Sequence, residues 1–135
     1  MYSVFESQVT IRPDDIDMNN HVHYSKYLDY LLAARFEQMT RDYGMSMHEF
    51  IKLDYSWVAS RAEINFKRAL KLNDTALVRT QVDEISGAQV KVNFWILRKE
   101  DSKISAEGIV FYTMVSVNSG RPVRIPEEII SKYAK

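Results

Sequence analysis

The chain has 135 residues with 18 Lys plus Arg against 18 Asp plus Glu, so no net field draws it to nucleic acid or to an anionic membrane. A content of 46% hydrophobic and 27% charged residues is that of a folded protein, and zero cysteines exclude disulfides, thiolate metal sites and a cysteine nucleophile. One domain over residues 1–135 is expected, able to remove roughly 68% of its unfolded surface from water. The opening MYSVFESQVT has no basic start followed by an apolar stretch, and no run approaches the roughly 18 apolar residues of a membrane span; a cytoplasmic protein with no membrane partner is expected.

Taken in order, residues 2–12 carry Val4, Val9 and Ile11 among polar neighbours, a first strand ended by Pro13. The acids behind Pro13 then form a loop. From about residue 24 to 43 the pattern is helical. Tyr24, Tyr27, Leu28, Leu31, Arg35 and Gln38 or Met39 share one face, Leu32, Phe36 and Tyr43 widen it, and only a thin polar stripe runs through Lys26, Asp29, Glu37 and Arg41. A helix apolar over most of its circumference has to be surrounded. Gly44 is placed to end it in a left-handed conformation.

After a connector at residues 45–53, period-two alternation dominates. Val58, Ser60, Ala62, Ile64 and Phe66 share one strand face, Val78, Thr80 and Val82 another, and Val90, Val92, Phe94 and Ile96 a third. Ser86-Gly87 joins two strands tightly and residues 99–103 form a polar turn, which predicts an antiparallel meander. Residues 109–117 are apolar on both strand faces, as if a partner subunit covered the outer one. Pro126 suits the first position of a short terminal helix with acids in its first turn. One buried helix followed by about four antiparallel strands is an α+β layout in which a curved sheet wraps a helix.

The polar chemistry concentrates at the entrance to the long helix, in "DDIDMNNHVHYSKYLDYLLAARFEQM", residues 14–39. The bland reading is that Asp17, Asn19, Asn20 or Ser25 caps the helix. One cap, however, does not require six polar residues. The chemical reading is acyl transfer to water, because a carboxylate at the positive end of a helix stays ionised and N–H groups there stabilise a developing oxyanion. Asp17 would attack or activate water, Asn19 and His21 would orient water or substrate, and N–H groups around Val22, His23 and Tyr24 would hold the carbonyl oxygen. His21-Val22-His23 also suits zinc or iron, but the only other histidine, His48, lies in the connector without a ligand pattern, so no metal is expected. Tyr24, Tyr27 and Tyr30 read as core packing, with lining of an acyl pocket as the alternative.

This stretch resembles the signature of the hot-dog fold acyl-CoA thioesterases of the 4-hydroxybenzoyl-CoA thioesterase type, and is similar to the plant acyl-carrier-protein thioesterase pattern of Asp, Asn and His at alternate positions followed by Val. The strand at 58–66 with "KRALKLNDTALVRTQV" resembles the family's second block. The resemblance implies a hot-dog fold, hydrolysis of acyl-CoA or acyl-carrier-protein thioesters, Asp17 as the catalytic acid, and Asn19 and His21 at the plant-type positions. It implies substrate contacts at Val22, His23, Tyr24 and Tyr27, coenzyme A phosphates near Lys67 and Arg68, coenzyme A present only as part of the substrate with no separate cofactor, and a homodimer, possibly a tetramer. Departures are His23 and Tyr24 where the plant pattern has two asparagines, Asn20 where many bacterial relatives have glycine, Ala69 for a usual proline and Asn73 for a usual glycine. A non-catalytic acyl or aromatic ligand-binding protein and, ranked last, a hydratase or dehydratase are the competing readings.

Overall fold

The structure is a computed structural model that describes residues 2–134. Strand β1 (Val4–Thr10) leads into a 3-10 turn over Pro13–Asp15, then helix α1 (Lys26–Arg41) and a short helix α2 (Met47–Lys52). Four longer strands follow, β2 (Tyr55–Phe66), β3 (Thr75–Ser86), β4 (Gln89–Arg98) and β5 (Ile104–Ser116), and α3 (Glu127–Tyr133) ends the described chain. The strands form one five-stranded sheet in the order β1-β3-β4-β5-β2, with every neighbouring pair antiparallel. This is the expected α+β hot-dog architecture, with α1 packed along the inner face of the curved sheet.

The alternation of β3 and β4 lands as expected, with Val78, Thr80, Val82, Val90, Val92, Phe94 and Ile96 all buried. The meander needs correction. Only β3, β4 and β5 are joined as consecutive neighbours, while β2 pairs with β5 and lies at a sheet edge. Residues 67–74 must therefore cross to β3, and they are anchored on the way by Leu70, which is fully buried and whose carbonyl accepts the Val22 N–H at 2.8 Å.

The face assigned to β2 is half right. Ser60 is a bulge, since the register passes from Ala59↔Tyr112 to Arg61↔Phe111. An extra residue reverses the alternation, so Trp57 and Ala59 rather than Val58 share a side with Ala62, Ile64 and Phe66. Val58 is left 48% exposed. The connector at 45–53 also holds more order than expected. Ser46 Oγ accepts the Glu49 N–H at 3.2 Å and Glu49 Oε2 accepts the Ser46 N–H at 3.1 Å, a capping box that starts α2 and lets it bury Phe50. Gly44 ends the preceding segment at φ +71, as predicted.

Helix α1 buries Tyr27, Tyr30, Leu31, Ala34, Arg35, Gln38 and Met39. A polar chain crosses this interface: Gln38 Nε2 donates to Ser7 Oγ at 3.1 Å and the Thr80 hydroxyl donates to Gln38 Oε1, which ties α1 to β1 and β3. The opposite flank of α1 is uncovered by its own chain, with Leu28, Leu32 and Phe36 at 41%, 49% and 42% exposure. The helix expected to be surrounded is thus covered on one side only.

Candidate active site

The acidic loop is built by its own backbone. Ile16 and Val22 form an antiparallel bridge, the Asp17 N–H donates to the His21 carbonyl at 2.8 Å, and the Asn20 N–H donates to the Asp17 carbonyl at 3.2 Å. Asn20 completes this turn at φ 60, a conformation that Asn tolerates and that glycine occupies freely. Inside the turn, Asp17 Oδ1 accepts the Asn19 N–H at 2.9 Å and the His21 N–H at 3.1 Å. The His21 N–H is the largest influence and holds the Asp17 carboxyl below the ordinary range, desolvation opposes it, and the Asn19 N–H adds a smaller lowering effect. Among the described residues nothing donates to Asp17 Oδ2. One oxygen of the Asp17 carboxylate is therefore left without a protein donor in a hydrogen-bonded loop.

Asp15 fixes that loop to the helix. Its carboxylate is buried and accepts the Tyr30 hydroxyl at 2.7 Å and the Arg12 N–H at 3.1 Å, while its carbonyl accepts the His23 N–H at 2.8 Å. Burial by itself pushes the Asp15 carboxyl up, but the Arg12 N–H, the Tyr30 hydroxyl and the Arg12 guanidinium outweigh it and hold it below the usual range. Replacing Tyr30 with Phe takes one donor from a buried anion and should cost about 1–3 kcal/mol in urea unfolding. The stability that a depressed carboxyl provides is lost as pH falls through its folded pKa, so the same variant should begin to unfold at higher pH than the wild type.

The helix cap differs from expectation. Asp17, Asn19 and Asn20 serve the loop rather than α1, and Ser25 sits at the N-cap with its hydroxyl bonded to His23 Nδ1 at 2.8 Å rather than to a backbone N–H of the helix. His23 takes over the work, because its Nδ1 accepts the Ser25 N–H at 3.2 Å and its carbonyl accepts the Lys26 N–H at 2.9 Å. Of the three N–H groups expected to face a carbonyl oxygen, Val22 donates to Leu70 and His23 to Asp15, both at 2.8 Å. Only the Tyr24 N–H has no acceptor among the described residues. Two of the expected donors are thus spent on holding the loop, and one remains for a ligand.

Of the other expected residues, Tyr24 and Tyr27 are brought together at Phe66. Tyr27 is buried, its hydroxyl accepts the Leu70 N–H at 3.4 Å, and its ring stands edge-on to Phe66 with centroids 5.3 Å apart. Tyr24 is 69% exposed, stacked on His23 and 6.4 Å from Phe66. The side chains of Asn19 and His21 project from the exposed turn. Lys67 and Arg68 are exposed at the end of β2, and Arg68 is partly engaged, donating to the Ile104 carbonyl at 3.1 Å. Among the described residues no three His, Cys, Asp or Glu side chains converge as metal ligands.

A separate cavity of about 260 Å³ opens further along α1, lined by Leu32, Arg35, Phe36, Trp57, Tyr112 and Tyr133 among others. It does not touch Asp17. The two places are joined across the surface by Tyr24, Leu28, Leu32 and Phe36, which recur every four residues and so lie on one flank of the helix. The arrangement is that of an anionic oxygen and an unused backbone donor at one end of an apolar track, with a pocket at the other.

Residues 11–133 match the thioesterase-like superfamily. The chain belongs to that superfamily. Among curated superfamily relatives, it is similar to the long-chain acyl-CoA thioesterase FadM of Escherichia coli, 18% identical over 94% of this chain and 95% of that protein. It is also similar to the acyl-CoA thioesterase YbgC of Haemophilus influenzae, 24% identical over 96% of this chain and 93% of that one. The thioesterase-like fold is equally plain against solved structures: the DHNA-CoA thioesterase of Staphylococcus aureus superimposes with a TM-score of 0.84 at 18% identity, over 97% of this chain and 89% of the other. Within this superfamily fold, sequence reasoning missed the Asp15–Tyr30 anchor and the Arg35 cavity. An acid at the first turn and a charged residue on an apolar helix face were the signals available for them.

Proposed function

We propose that the protein hydrolyses acyl thioesters of coenzyme A, or of an acyl carrier protein, to the free acid and thiol. The observation that carries this reading is Asp17, a half-buried carboxylate kept ionised by two backbone N–H groups, in a loop whose Tyr24 N–H has no acceptor among the described residues. Asp17 either attacks the carbonyl carbon and expels the thiolate, leaving an acyl anhydride that water cleaves to the free acid and carboxylate, or takes a proton from the attacking water, so that the C–S bond breaks and the departing thiolate takes up the proton. The Tyr24 N–H receives the carbonyl oxygen as it becomes anionic. Asn19 and His21 orient water or substrate at the turn, and Val22, His23, Tyr24 and Tyr27 frame the reacting acyl group. Lys67 and Arg68 meet the phosphates of coenzyme A, which enters as part of the substrate, and no separate cofactor takes part. A cytoplasmic setting belongs to the same proposal.

The working unit in this reading is a homodimer, with tetramers open to the same surfaces. Strand β2 is a sheet edge of 12 residues with Val58 and Phe66 about half exposed on its opposite faces, and the flank of α1 at Leu28, Leu32 and Phe36 is bare as well. Long apolar edges are ordinarily paired or blunted by charge. A second copy related by a two-fold axis would cover both features and close the open side of the Asp17 loop. Val58→Glu should shift sedimentation from dimer to monomer, and unchanged dimers would remove β2 from the interface.

The separation of Asp17 from the cavity favours a second reading, ligand binding without turnover. Incubation with a panel of acyl-CoAs, followed both by melting temperature and by free thiol, separates the two. Hydrolysis predicts thiol release; stabilisation with no thiol from any member supports binding alone.

A further inference from the structure

Arg35 is only 5% exposed, yet no carboxylate among the described residues pairs with it. Its polar partners among the described residues are hydroxyls only, Thr80 at 3.4 Å from Nη1 and the Tyr112 side chain, and its guanidinium lies 5.5 Å from the Tyr43 ring centroid and 5.8 Å from that of Tyr112. An ionised group out of water normally has a counter-charge. The cavity wall holds more unused polarity. The Tyr133 hydroxyl and the Trp57 indole nitrogen, both on that wall, are buried with no partner beyond each other among the described residues.

These groups share a chemical character. Arginine and indole can only donate, and a tyrosine hydroxyl donates readily to an anion. Aliphatic carbon would leave all of them unsatisfied, whereas a carboxylate brings two oxygens with about four acceptor sites. The walls otherwise consist of Leu32, Phe36, Met39, Met47 and Val90, which suit a hydrocarbon chain leading to that acceptor. From Tyr24 to Arg35 is 11 residues, about 16 Å of helix, shortened because helical side chains lean toward the N-terminus. An extended acyl group of roughly eight to ten carbons covers that distance from the Tyr24 N–H.

We propose that the cavity receives the far end of the acyl group and that Arg35 selects a carboxylate there, so that thioesters of dicarboxylic acids are the preferred substrate class. The proposal rests on the thioesterase reading for its chemistry, and on the cavity alone for its binding.

The test compares the mono-coenzyme A thioester of decanedioic acid with decanoyl-CoA. Wild-type protein should favour the dicarboxylic substrate in kcat/KM by at least about tenfold, and Arg35→Met should lower that value about 100-fold, a loss at least about tenfold greater than its effect on decanoyl-CoA. Arg35→Lys, which keeps the charge without the fork, should recover part of the preference. Calorimetric binding of decanoate against decanol, with both Arg35 variants, reads the site without turnover. Arg35-dependent preference for decanoate with no thioester hydrolysed supports the carboxylate site and removes the thioesterase reading. Hydrolysis with no preference for the distal carboxylate overturns the proposal and leaves that reading standing. Equal losses on both substrates in Arg35→Met, with a lowered melting temperature, would assign Arg35 to stacking between tyrosines and overturn the proposal as well.

Discussion

Asp17→Asn should lower kcat on a responsive acyl-CoA by about 10³–10⁴-fold while shifting the melting temperature by no more than about 2 °C. The two halves of this expectation have one structural origin. Asp17 Oδ1 is occupied by the Asn19 and His21 N–H groups, and an Asn side-chain oxygen can accept both, so the turn survives the substitution. The variant loses the charge, and with it the capacity to attack a carbonyl or take a proton. Asp17→Ala removes the acceptor too and should loosen the loop as well as stop turnover. The difference between the two variants therefore separates the carboxylate's chemistry from its architecture. Near-normal turnover by Asp17→Asn would contradict the assignment.

Gly108→Ala should be the most damaging single methyl group in the protein, costing about 3 kcal/mol or more or preventing folding. A Cβ at position 108 would lie 1.9 Å from the Glu63 carbonyl oxygen and 2.9 Å from its carbonyl carbon. Both are backbone atoms, so no side-chain rotation relieves the overlap. Strand β2 would have to separate from β5 in the middle of a pairing that runs from Tyr55↔Ser116 to Phe66↔Ala106. Because β2 carries Trp57 and Ala59 into the cavity and Phe66 against Tyr27, the functional surface should fail with the sheet. Urea unfolding measures the loss, and stability close to wild type would mean that β2 and β5 do not meet in this register.

Much of this fold was legible where hydrophobic period alone decides structure. The alternation through Val90, Val92, Phe94 and Ile96, and the helical run ended by Gly44, required no knowledge of distant contacts. Errors arose where one residue changes the count or where pairing is non-local. Ser60 bulges and reverses the faces of β2, a slip that nothing in the local pattern marks. The placement of β2 beside β5 goes with the crossover anchored by Leu70, whose partner Val22 lies 48 residues earlier in the chain.

At the site, the residue types pointed to the right loop, but not to the division of labour within it. Val22 and His23 donate to Leu70 and Asp15, partners that only the folded chain brings near, which leaves the Tyr24 N–H as the available donor. Arg35 lay in plain sight on an apolar helix face. Its meaning came only with the cavity and with the indole and hydroxyl groups that surround it.

The central claim is that an ionised Asp17, not a histidine, acts on the thioester. The pH dependence of kcat/KM tests it most directly. The loop N–H groups hold the Asp17 carboxyl below its ordinary 3.8, so the charged form persists throughout the neutral range and into mild acid. The account predicts a flat profile from about pH 8 down to about pH 5, with any acid limb lying lower still. A limb centred near pH 6.5, the ordinary range of imidazole, would transfer the chemistry to His21 or His23 and contradict it.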